Sequence, residues 1–502
     1  MGTPSYAVYQ KHKSPSLAIK EKLNFPVVDT DLHTIENPKI LEQYIEKNGN
    51  SHAVDQFRSA LAKGFGYLSN IWYGQSAEER RDQRSVRPPW WALPAKNTLD
   101  LATVSLPSLL HERLQESGSD FAVLYPNVAT FAPHIGNPEL RRLVARSVNE
   151  YNADLFRPYS DRLTPVAAIP LHTPEEGIEE LEYAVNTLGL RVGLIPGYVN
   201  RPIKALNDKL TPEDQALFRR HATWIDTYGI DSEYDYDPFW AKAVELGISL
   251  TTHSAGMGWT ARSSISNYMY NHIGHFADAS HALAKSLFFG GVTRRFPDLR
   301  FGFLEGGAAW GAALLADLVG HWEKRNGEAI KNYDPSSADH ALLLQLYNKY
   351  GNDLTGGRNH SDTTSITGGS LGRATNKFSQ GESLDDFALA GITKAEDILE
   401  RFVPNFYFGA EADDPTVAYA FNKAANPYGA QLNAFWASDS GHWDVPDLTA
   451  VLAETWHLVE QGAISEAQFK NLVSDNPIRF FSEKNPRFFD DTALSLKKSK
   501  VA

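Results

Sequence analysis

The stretch VVDTDLH, residues 27–33, decides the fold and begins the candidate active site. Its apolar, β-branched start predicts a buried strand, and a strand sends residues i and i+2 to the same face. Asp31 and His33 therefore point the same way from one rigid element, as a pair of metal ligands would. Because Asp and His meet by chance in many chains, the pair gains weight only from the other acids and histidines.

Seven further short apolar runs end in polar or glycine residues and alternate with amphipathic segments that predict helices. The eight predicted strands lie at residues 27–33, 120–126, 163–172, 190–197, 248–255, 299–307, 405–411 and 434–439. Alternating strands and helices favour an α/β fold with a parallel sheet, and eight such units favour a (β/α)8 TIM barrel. No glycine-rich dinucleotide fingerprint follows the first strand, which disfavours a Rossmann fold.

Three connections are too long for simple barrel loops and predict helical insertions, at about residues 39–118, 198–237 and 311–403. We therefore expect an N-terminal extension at 1–26, a barrel at 27–450 and a C-terminal helical segment and tail at 451–502. Within the third insertion, the Gly, Ser and Thr content of residues 356–383 predicts a flexible excursion.

The composition excludes several classes of function. A formal net charge of -13 and the absence of a Lys/Arg stripe disfavour a nucleic-acid partner. Because the chain has no cysteine, any metal must be held by histidines and carboxylates. No apolar run is long enough to span a membrane and no signal-peptide pattern is present, so we expect a cytoplasmic protein without a membrane partner. Apolar segments at 99–110 and 341–347 predict a homo-oligomer, a dimer or larger.

Acids and histidines fall at the ends of the predicted strands, which converge on one mouth in a barrel. These residues are Asp31, His33, His172, His253, Glu305, Glu411 and Asp439. Such convergence predicts a divalent transition metal with nitrogen and oxygen ligands. We expect the ligands to be Asp31, His33, His253 and Asp439, and a metal-free carboxylate–histidine network is the alternative.

At these residues the chain resembles the amidohydrolase superfamily, in its amidohydrolase-related family 2. The similar branch contains metal-dependent decarboxylases and hydrolases related to aminocarboxymuconate semialdehyde decarboxylase. The most specific piece is GGVTRRFPDLR at 290–300, and further similar motifs are DLHTIENP at 31–38, THSAG at 252–256 and SDSGHWD at 438–444. The resemblance covers about 27–310 and 405–450, and it implies a distorted (β/α)8 barrel with a single divalent metal, often zinc or manganese.

The chain departs from that branch in two places. Glu305 stands where the decarboxylases usually carry a strand-six histidine, and we expect it to be a general acid/base or a further ligand, which would favour manganese or iron. The fourth strand has no lysine that could bridge two metals, which favours one metal. His275 could supply the missing imidazole, whereas helix capping or packing is the alternative for His272 and His275.

Aromatic, imidazole and charged side chains near the predicted mouth indicate a small-molecule substrate with an apolar or aromatic part. The candidate substrate-binding residues are His172, Trp259, His272, Trp310, Glu411, His442, Trp90 and Arg87. For each of them, packing or a solvated salt bridge is the alternative.

Two enzyme hypotheses share this metal site and differ in the proton donor. The first is a hydrolase that attacks its substrate with a metal-activated water, with Asp439, Glu305 and His275 as catalytic residues. The second is a non-oxidative decarboxylase, a carbon–carbon lyase acting on an aromatic-type carboxylate. Two further hypotheses are an iron or manganese oxygenase and a non-catalytic subunit of an assembly.

Overall fold

The computed structural model describes residues 13–63, 71–89, 96–214, 221–256, 259, 262–334, 337–355 and 384–495. Trp90 and the segment 356–383, for which the sequence predicts a substrate contact and a flexible excursion, lie outside these residues. The chain folds as two compact units, Met1–Leu314 with Arg401–Ala502 and Leu315–Glu400.

The first unit contains the barrel strands, and their bounds follow the eight predicted runs closely. They are β1 (Val28–Thr34), β2 (Phe121–Pro126), β3 (Leu163–Pro165), β4 (Ala167–Ala168), β5 (Val192–Ile195), β8 (Ser249–Thr252), β9 (Phe301–Phe303), β10 (Phe406–Ala410) and β11 (Asn433–Trp436). The remaining strands, β6 (Val199–Pro202) and β7 (Thr223–Asp226), form an antiparallel hairpin in the second predicted insertion.

Helices separate the strands and fill the insertions. The α-helices are Pro15–Lys20, Pro38–Asn48, Ser51–Lys63, Ile71–Gly74, Ala77–Asp82, Thr98–Thr103, Pro107–Arg113, Asn127–Phe131, Pro138–Phe156, Pro174–Asn186, Lys204–Asn207, Asp237–Glu245, Tyr268–His272, His275–Phe289, Val292–Arg295, Ala309–Arg325, His340–Tyr350, Asn352–Thr355, Asp386–Leu389, Ala395–Phe402, Val451–Glu460, Glu466–Lys470 and Asn476–Ser482. None of the helices among the described residues is both long and apolar enough to cross a membrane.

Parallel pairing runs around the whole barrel. One sheet has the order β1-β2-β3, and the other has the order β11-β10-β9-β8-β5-β4. Val166 joins the sheets at the third strand, because its N–H donates to Leu124 of β2 at 3.0 Å just before β4 turns to pair with β5. A parallel bridge between Leu32 and Ser440 joins the other two edges. The predicted (β/α)8 barrel is therefore confirmed.

The third strand differs from its prediction, which is one continuous run at 163–172. It consists of the two short strands β3 and β4, with Pro165 at the break. Proline has no N–H to donate to a neighbouring strand, so the ladder is interrupted where the partner changes from β2 to β5. The predicted runs at 248–255 and 299–307 also end earlier, at Thr252 and Phe303, because their polar ends leave the ladder and form the mouth.

Aromatic side chains fill the barrel interior. Phe480 of the helix Asn476–Ser482 lies 5.2 Å from the ring of Phe435 and 4.8 Å from that of Tyr407, so the C-terminal segment packs into the same core as the strands. The interior is thus a solid hydrophobic core, as is usual for this fold. Acids and histidines gather at the carboxyl ends of the strands.

The apolar segments from which the sequence predicts a homo-oligomer are only partly buried. Leu110 is buried, whereas Leu99 and Leu106 are exposed. In the second unit, Leu342 and Leu346 of the helix His340–Tyr350 are exposed as well. The homo-oligomer stays a prediction.

The glycine pair at 290–291 explains part of the sequence motif that precedes β9. Gly290 ends the helix His275–Phe289, and a Cβ at this position would collide with the carbonyl oxygen of Gly229. The N–H of Gly229 donates to Ser286 Oγ of the same helix at 3.0 Å. Two backbone segments therefore touch at a place where only glycine fits.

We predict that Gly290→Ala destabilises the protein by about 1–3 kcal/mol, the usual cost of forcing extra atoms into a packed site. The matched control is Gly74→Ala, because a Cβ on Gly74 would meet no atom within 4 Å. Thermal unfolding followed by circular dichroism would check both variants. Equal melting temperatures for the two would contradict the close approach.

Candidate metal centre

Six side chains meet at the carboxyl ends of the barrel strands. They are Asp31, His33, His253, Glu305, Asp439 and His442. They form two overlapping groups of four, which share His33 and Glu305, and the donor atoms within each group lie within 4.8 Å of one another. Three carboxylates and three imidazoles at this spacing could hold a divalent transition metal.

His33 Nε2 lies in the middle of the cluster. It is 3.2 Å from Asp439 Oδ1, 3.3 Å from Glu305 Oε1 and 3.1 Å from His253 Nε2. Asp31 Oδ1 is 3.5 Å away. Neighbouring donors around one cation are separated by about 3 Å when the metal–ligand bonds are about 2.1 Å long. The observed distances therefore suit ligands of a common ion.

The barrel closes through hydrogen bonds that also place these ligands. Asp29, which is fully buried in β1, accepts from the N–H of Asp31 at 3.2 Å and from that of Ser438 at 3.0 Å. The N–H of Asp439 donates to the carbonyl of Asp31 at 3.0 Å. A register shift in β1 lies between Asp29 and Leu32, and such bulges re-aim side chains. Asp31 and Asp439 are thus fixed relative to each other.

Two of the carboxylates stand on left-handed backbone. Glu305 has φ 53° and Asp439 has φ 51°, a region that costs a non-glycine residue about 1–3 kcal/mol. Each residue lies just after its strand has left the ladder, so the turn directs the carboxylate toward the barrel axis. Such strain persists only where the surroundings hold it, and it is common at functional sites.

The pKa values of the cluster's side chains are shifted in different directions. Burial opposes a charge on His33, but Asp31 and Asp439 outweigh burial and raise the pKa of His33 to about 9. Burial likewise opposes the ionisation of Glu305, but His253 and His442 hold the pKa of Glu305 well below its usual range. Burial raises the pKa of Asp31 to about 6. Protons and a cation would therefore compete for the same imidazole nitrogens.

The hydrogen bonding of several buried oxygens in the cluster favours a bound cation over the alternative of a metal-free carboxylate–histidine network. Both oxygens of Asp31, and Oδ1 of Asp439, accept no hydrogen bond within the described structure. Buried carboxylates need a positive partner, and a divalent ion supplies one to several carboxylates at once. The donor set thus fits one divalent metal ion, which confirms the cofactor predicted from the sequence.

Four aromatic and imidazole rings form a wall beside the metal-donor cluster. The ring of Phe276 lies 5.1 Å from that of His253, and His275 lies 4.2 Å from Phe276 and 4.8 Å from His272. Trp443 continues the wall at 5.6 Å from His272. Burial lowers the pKa of His275 to about 3, so this imidazole is neutral at physiological pH. Both of its nitrogens are buried and make no hydrogen bond among the described residues.

Glu411 is a further acid whose pKa is affected by the charges of the donor cluster. It directly follows β10, and burial raises its pKa to about 9, with Asp439 and Glu305 adding to the effect. At neutral pH this carboxyl group therefore holds a proton. Asp444 is similar, because burial and Asp439 raise its pKa to about 6.

The other predicted site residues lie elsewhere or make packing contacts. His172 is beside Glu176, whose Oε1 accepts from its N–H at 2.5 Å, at the start of the helix Pro174–Asn186. Trp259 packs 5.6 Å from the ring of Tyr198. Arg87 donates from Nη1 to the carbonyl of Ser266 at 2.6 Å and so ties the first insertion to the segment after β8.

Trp310 corrects one expectation, because the sequence puts it at the mouth. Its ring packs 5.4 Å from Phe303 and 5.0 Å from Phe408. These two phenylalanines alternate with Gly302 and Gly409, and a Cβ on Gly302 would meet Phe435 and Phe480 of the interior. Trp310 therefore lies in the layer between the strands and the surrounding helices.

Sequence reasoning missed two roles. It placed His442 among substrate contacts, whereas His442 Nδ1 lies 2.9 Å from both Glu305 Oε1 and Asp439 Oδ2 and belongs to a donor group. It did not single out Asp29, for which the only signal was an acid inside an apolar strand.

Comparisons with known proteins agree with this architecture. The amidohydrolase family model matches residues 105–353. A curated relative, 2-keto-4-carboxy-3-hexenedioate hydratase from a Sphingobium species, is 25% identical over 215 residues, which are 41% of this chain and 54% of that protein. The match thus spans about half of the relative's length.

Solved structures are also similar to this chain, and one of them reaches a TM-score that supports a shared fold. An amidohydrolase from Mycobacterium avium subsp. paratuberculosis is similar over 91% of this chain and 98% of its own, with a TM-score of 0.50 and 16% identity. A dihydroxybenzoic acid decarboxylase from Polaromonas with bound manganese is similar over 92% and 99%, with a TM-score of 0.47 and 14% identity. The family match covers just under half of the chain, and together with the barrel and the donors at its strand ends it agrees with the sequence motifs: this chain is similar to the amidohydrolase family.

Proposed function

We propose that this protein is a metal-dependent carbon–carbon lyase, which removes CO2 from a planar, aromatic-type carboxylate. The observation that carries the proposal is a half-buried acid, Glu411, that follows β10 and interacts electrostatically with Asp439 and Glu305 of the donor cluster, which a wall of flat rings adjoins. A decarboxylase needs a group that gives a proton to the carbon that CO2 leaves, and a carboxyl group that is protonated at neutral pH suits that step.

We assign the metal to Asp31, His33, His253 and Asp439, with Glu305 as a fifth donor. A divalent ion held there supplies Lewis acidity, which binds and polarises oxygen atoms of the substrate. Because three of the five donors are carboxylates, the set favours manganese or iron over zinc. The neutral His275 stands where it can exchange a hydrogen bond with a substrate oxygen.

Glu411 is the proposed proton donor. In decarboxylation, the bond between carbon and the carboxylate breaks, its electron pair stays on carbon, and that carbon then takes one proton. Burial raises the pKa of Glu411 to about 9, so this group is protonated at neutral pH, and solvent restores the proton after each turnover. Asp439 and Glu305 add to the effect of burial on this pKa, so Glu411 keeps its proton at neutral pH and is available as a donor.

The rings beside the metal favour a flat substrate. His272, Phe276 and Trp443 present apolar or weakly polar surfaces next to His253, and aromatic substrates pack well on such faces. The curated relative supports lyase chemistry, because a hydratase adds water across a double bond, and the substrate in its name bears carboxylates.

A second candidate function is the hydrolysis predicted first from the sequence. It is favoured by Asp439, whose buried Oδ1 accepts no hydrogen bond within the described residues and could take a proton from an attacking water. The two candidates differ in their product, so one assay separates them.

That assay is a screen of hydroxylated aromatic carboxylates, amides and lactones with the manganese-loaded protein. We expect CO2 release from a carboxylate that has an oxygen substituent next to the carboxyl group, because both oxygens can reach one cation. CO2 detection and chromatography of the aromatic product would check it. Acid release from an amide or lactone without CO2 would establish the hydrolase instead.

We predict that Glu411→Gln lowers the decarboxylation rate by about 10²–10⁴-fold, because it removes the proton donor. In the unsubstituted protein the rate should fall as pH rises through about 9, where Glu411 loses its proton, and the variant should lack this limb. The control is Asp413→Asn, at an exposed neighbouring acid. Similar rates for the two variants would remove Glu411 from the mechanism.

We predict that His253→Ala lowers bound metal well below one equivalent per chain, because it removes one of the four proposed ligands. His172→Ala is the matched control, since His172 lies beside Glu176 and outside both donor groups. Elemental analysis after dialysis against manganese would measure both. Full metal content in His253→Ala would count against the ligand assignment.

A further inference from the structure

We propose that Asn271 is a positioning residue, which fastens the first insertion to the segment that carries the ring wall and thereby sets how tightly a flat substrate binds. The ring wall consists of His272, His275, Phe276 and Trp443, beside the donor cluster. The inference rests on the proposed substrate side of the metal site, but not on which reaction follows there.

The side-chain amide of Asn271 is buried and hydrogen-bonded through both of its polar atoms. Its Oδ1 accepts from the N–H of Ser264 at 2.6 Å. Its Nδ2 donates to the carbonyl oxygens of Ser264 at 2.9 Å and of Arg87 at 3.1 Å. A buried amide that loses such partners is costly, so these three bonds fix where the helix Tyr268–His272 meets the first insertion.

The first insertion makes further hydrogen bonds to the same place. The N–H of Arg87 donates to the carbonyl of Ser264 at 3.0 Å, and Trp72 Nε1 donates to the carbonyl of Ile265 at 3.0 Å. Asn271 bonds to both sides of this contact, since it reaches Ser264 on its own segment and Arg87 on the insertion. Its amide is therefore the point at which the two segments are held together.

Asn271 is connected to the ring wall along the chain, because His272 follows it in the same short helix. The hydroxyl of Tyr268 lies 3.0 Å from His272 Nδ1, and the two rings are stacked at 5.3 Å. His272 in turn lies 4.8 Å from His275 and 5.6 Å from Trp443. A shift of this helix would therefore move the rings against which a flat substrate packs.

Two asparagines of this region give a matched pair of substitutions. In Asn271→Asp, an oxygen replaces Nδ2 and faces the carbonyl oxygens of Arg87 and Ser264 without a hydrogen for either. Asn267 is exposed, and its Oδ1 caps the helix by accepting from the N–H of Tyr270 at 3.0 Å, a role that aspartate fills equally well. Asn267→Asp thus adds the same charge without breaking the contact.

The first measurement is hydrogen–deuterium exchange of the manganese-loaded full chain. We expect Asn271→Asp to speed exchange about 10-fold in residues 71–89 and 264–276 together, because both segments lose the bonds that join them. Asn267→Asp should leave both segments unchanged. Asn271→Ala, which loses the bonds without adding a charge, is a second variant with the same expected direction. Circular dichroism and elemental analysis check that each variant is folded and holds its metal.

The second measurement is steady-state kinetics with the substrate that the product screen identifies, whether or not it releases CO2. We expect Asn271→Asp to raise KM by about 10–100-fold and to change kcat by less than about 3-fold, because the wall binds the substrate and the transition state alike. Asn267→Asp should keep both constants. An unchanged KM in folded Asn271→Asp, or faster exchange in 264–276 without any in 71–89, would overturn the proposal.

Failure of this inference is distinguishable from failure of the proposed function. Unchanged KM and exchange in Asn271→Asp, with CO2 release intact, would remove the positioning role alone. Acid release without CO2, joined to a raised KM in Asn271→Asp, would keep the positioning role and remove the decarboxylase.

Discussion

The hydrogen bonds that close the barrel between β1 and the end of β11 are the constraint on which the site depends. Asp29 bridges the N–H groups of Asp31 and Ser438, and the N–H of His33 donates to the carbonyl of Ser440 at 2.8 Å. Regular strand pairing is replaced here by one isolated bridge and a buried side chain. The same few hydrogen bonds close the barrel and align the carboxylates of Asp31 and Asp439. A substitution that weakens these hydrogen bonds would therefore also displace the candidate metal ligands.

The hydrogen bonds that close the barrel also explain how a strained backbone and a buried carboxylate are tolerated at the same residue, Asp439. Asp439 adopts a left-handed backbone, and its N–H is held by Asp31 while its carboxylate faces His33 and His442. Gly441 permits the turn that follows, because its φ is 101° and a Cβ there would lie 2.5 Å from the carbonyl oxygen of His33. Local strain is therefore balanced by contacts that connect the first and last strands of the barrel.

What the sequence could predict follows from this arrangement. Strand periodicity located all eight strands and put Asp31, His33, His253 and Asp439 at their ends, where the fold brings them together. His442 could not be assigned in the same way, because its place depends on the turn at Gly441 and not on a strand period. The position of Trp310 could not be predicted either. A place shortly after a strand does not determine whether a ring lies at the mouth or between the strands and the outer helices.

The acids of the mouth constrain how a substrate can enter. The side chains of Asp31, Glu305 and Asp439 are buried, and Glu411 and Asp444 interact electrostatically with Asp439. A carboxylate that approached this surface alone would meet like charges in a poorly solvated site, which repel strongly. A divalent ion held by these carboxylates would offset two of their three negative charges and would so ease the approach of an anionic substrate. A neutral His275 and a protonated Glu411 add no negative charge of their own at neutral pH, which favours the approach of the proposed carboxylate substrate.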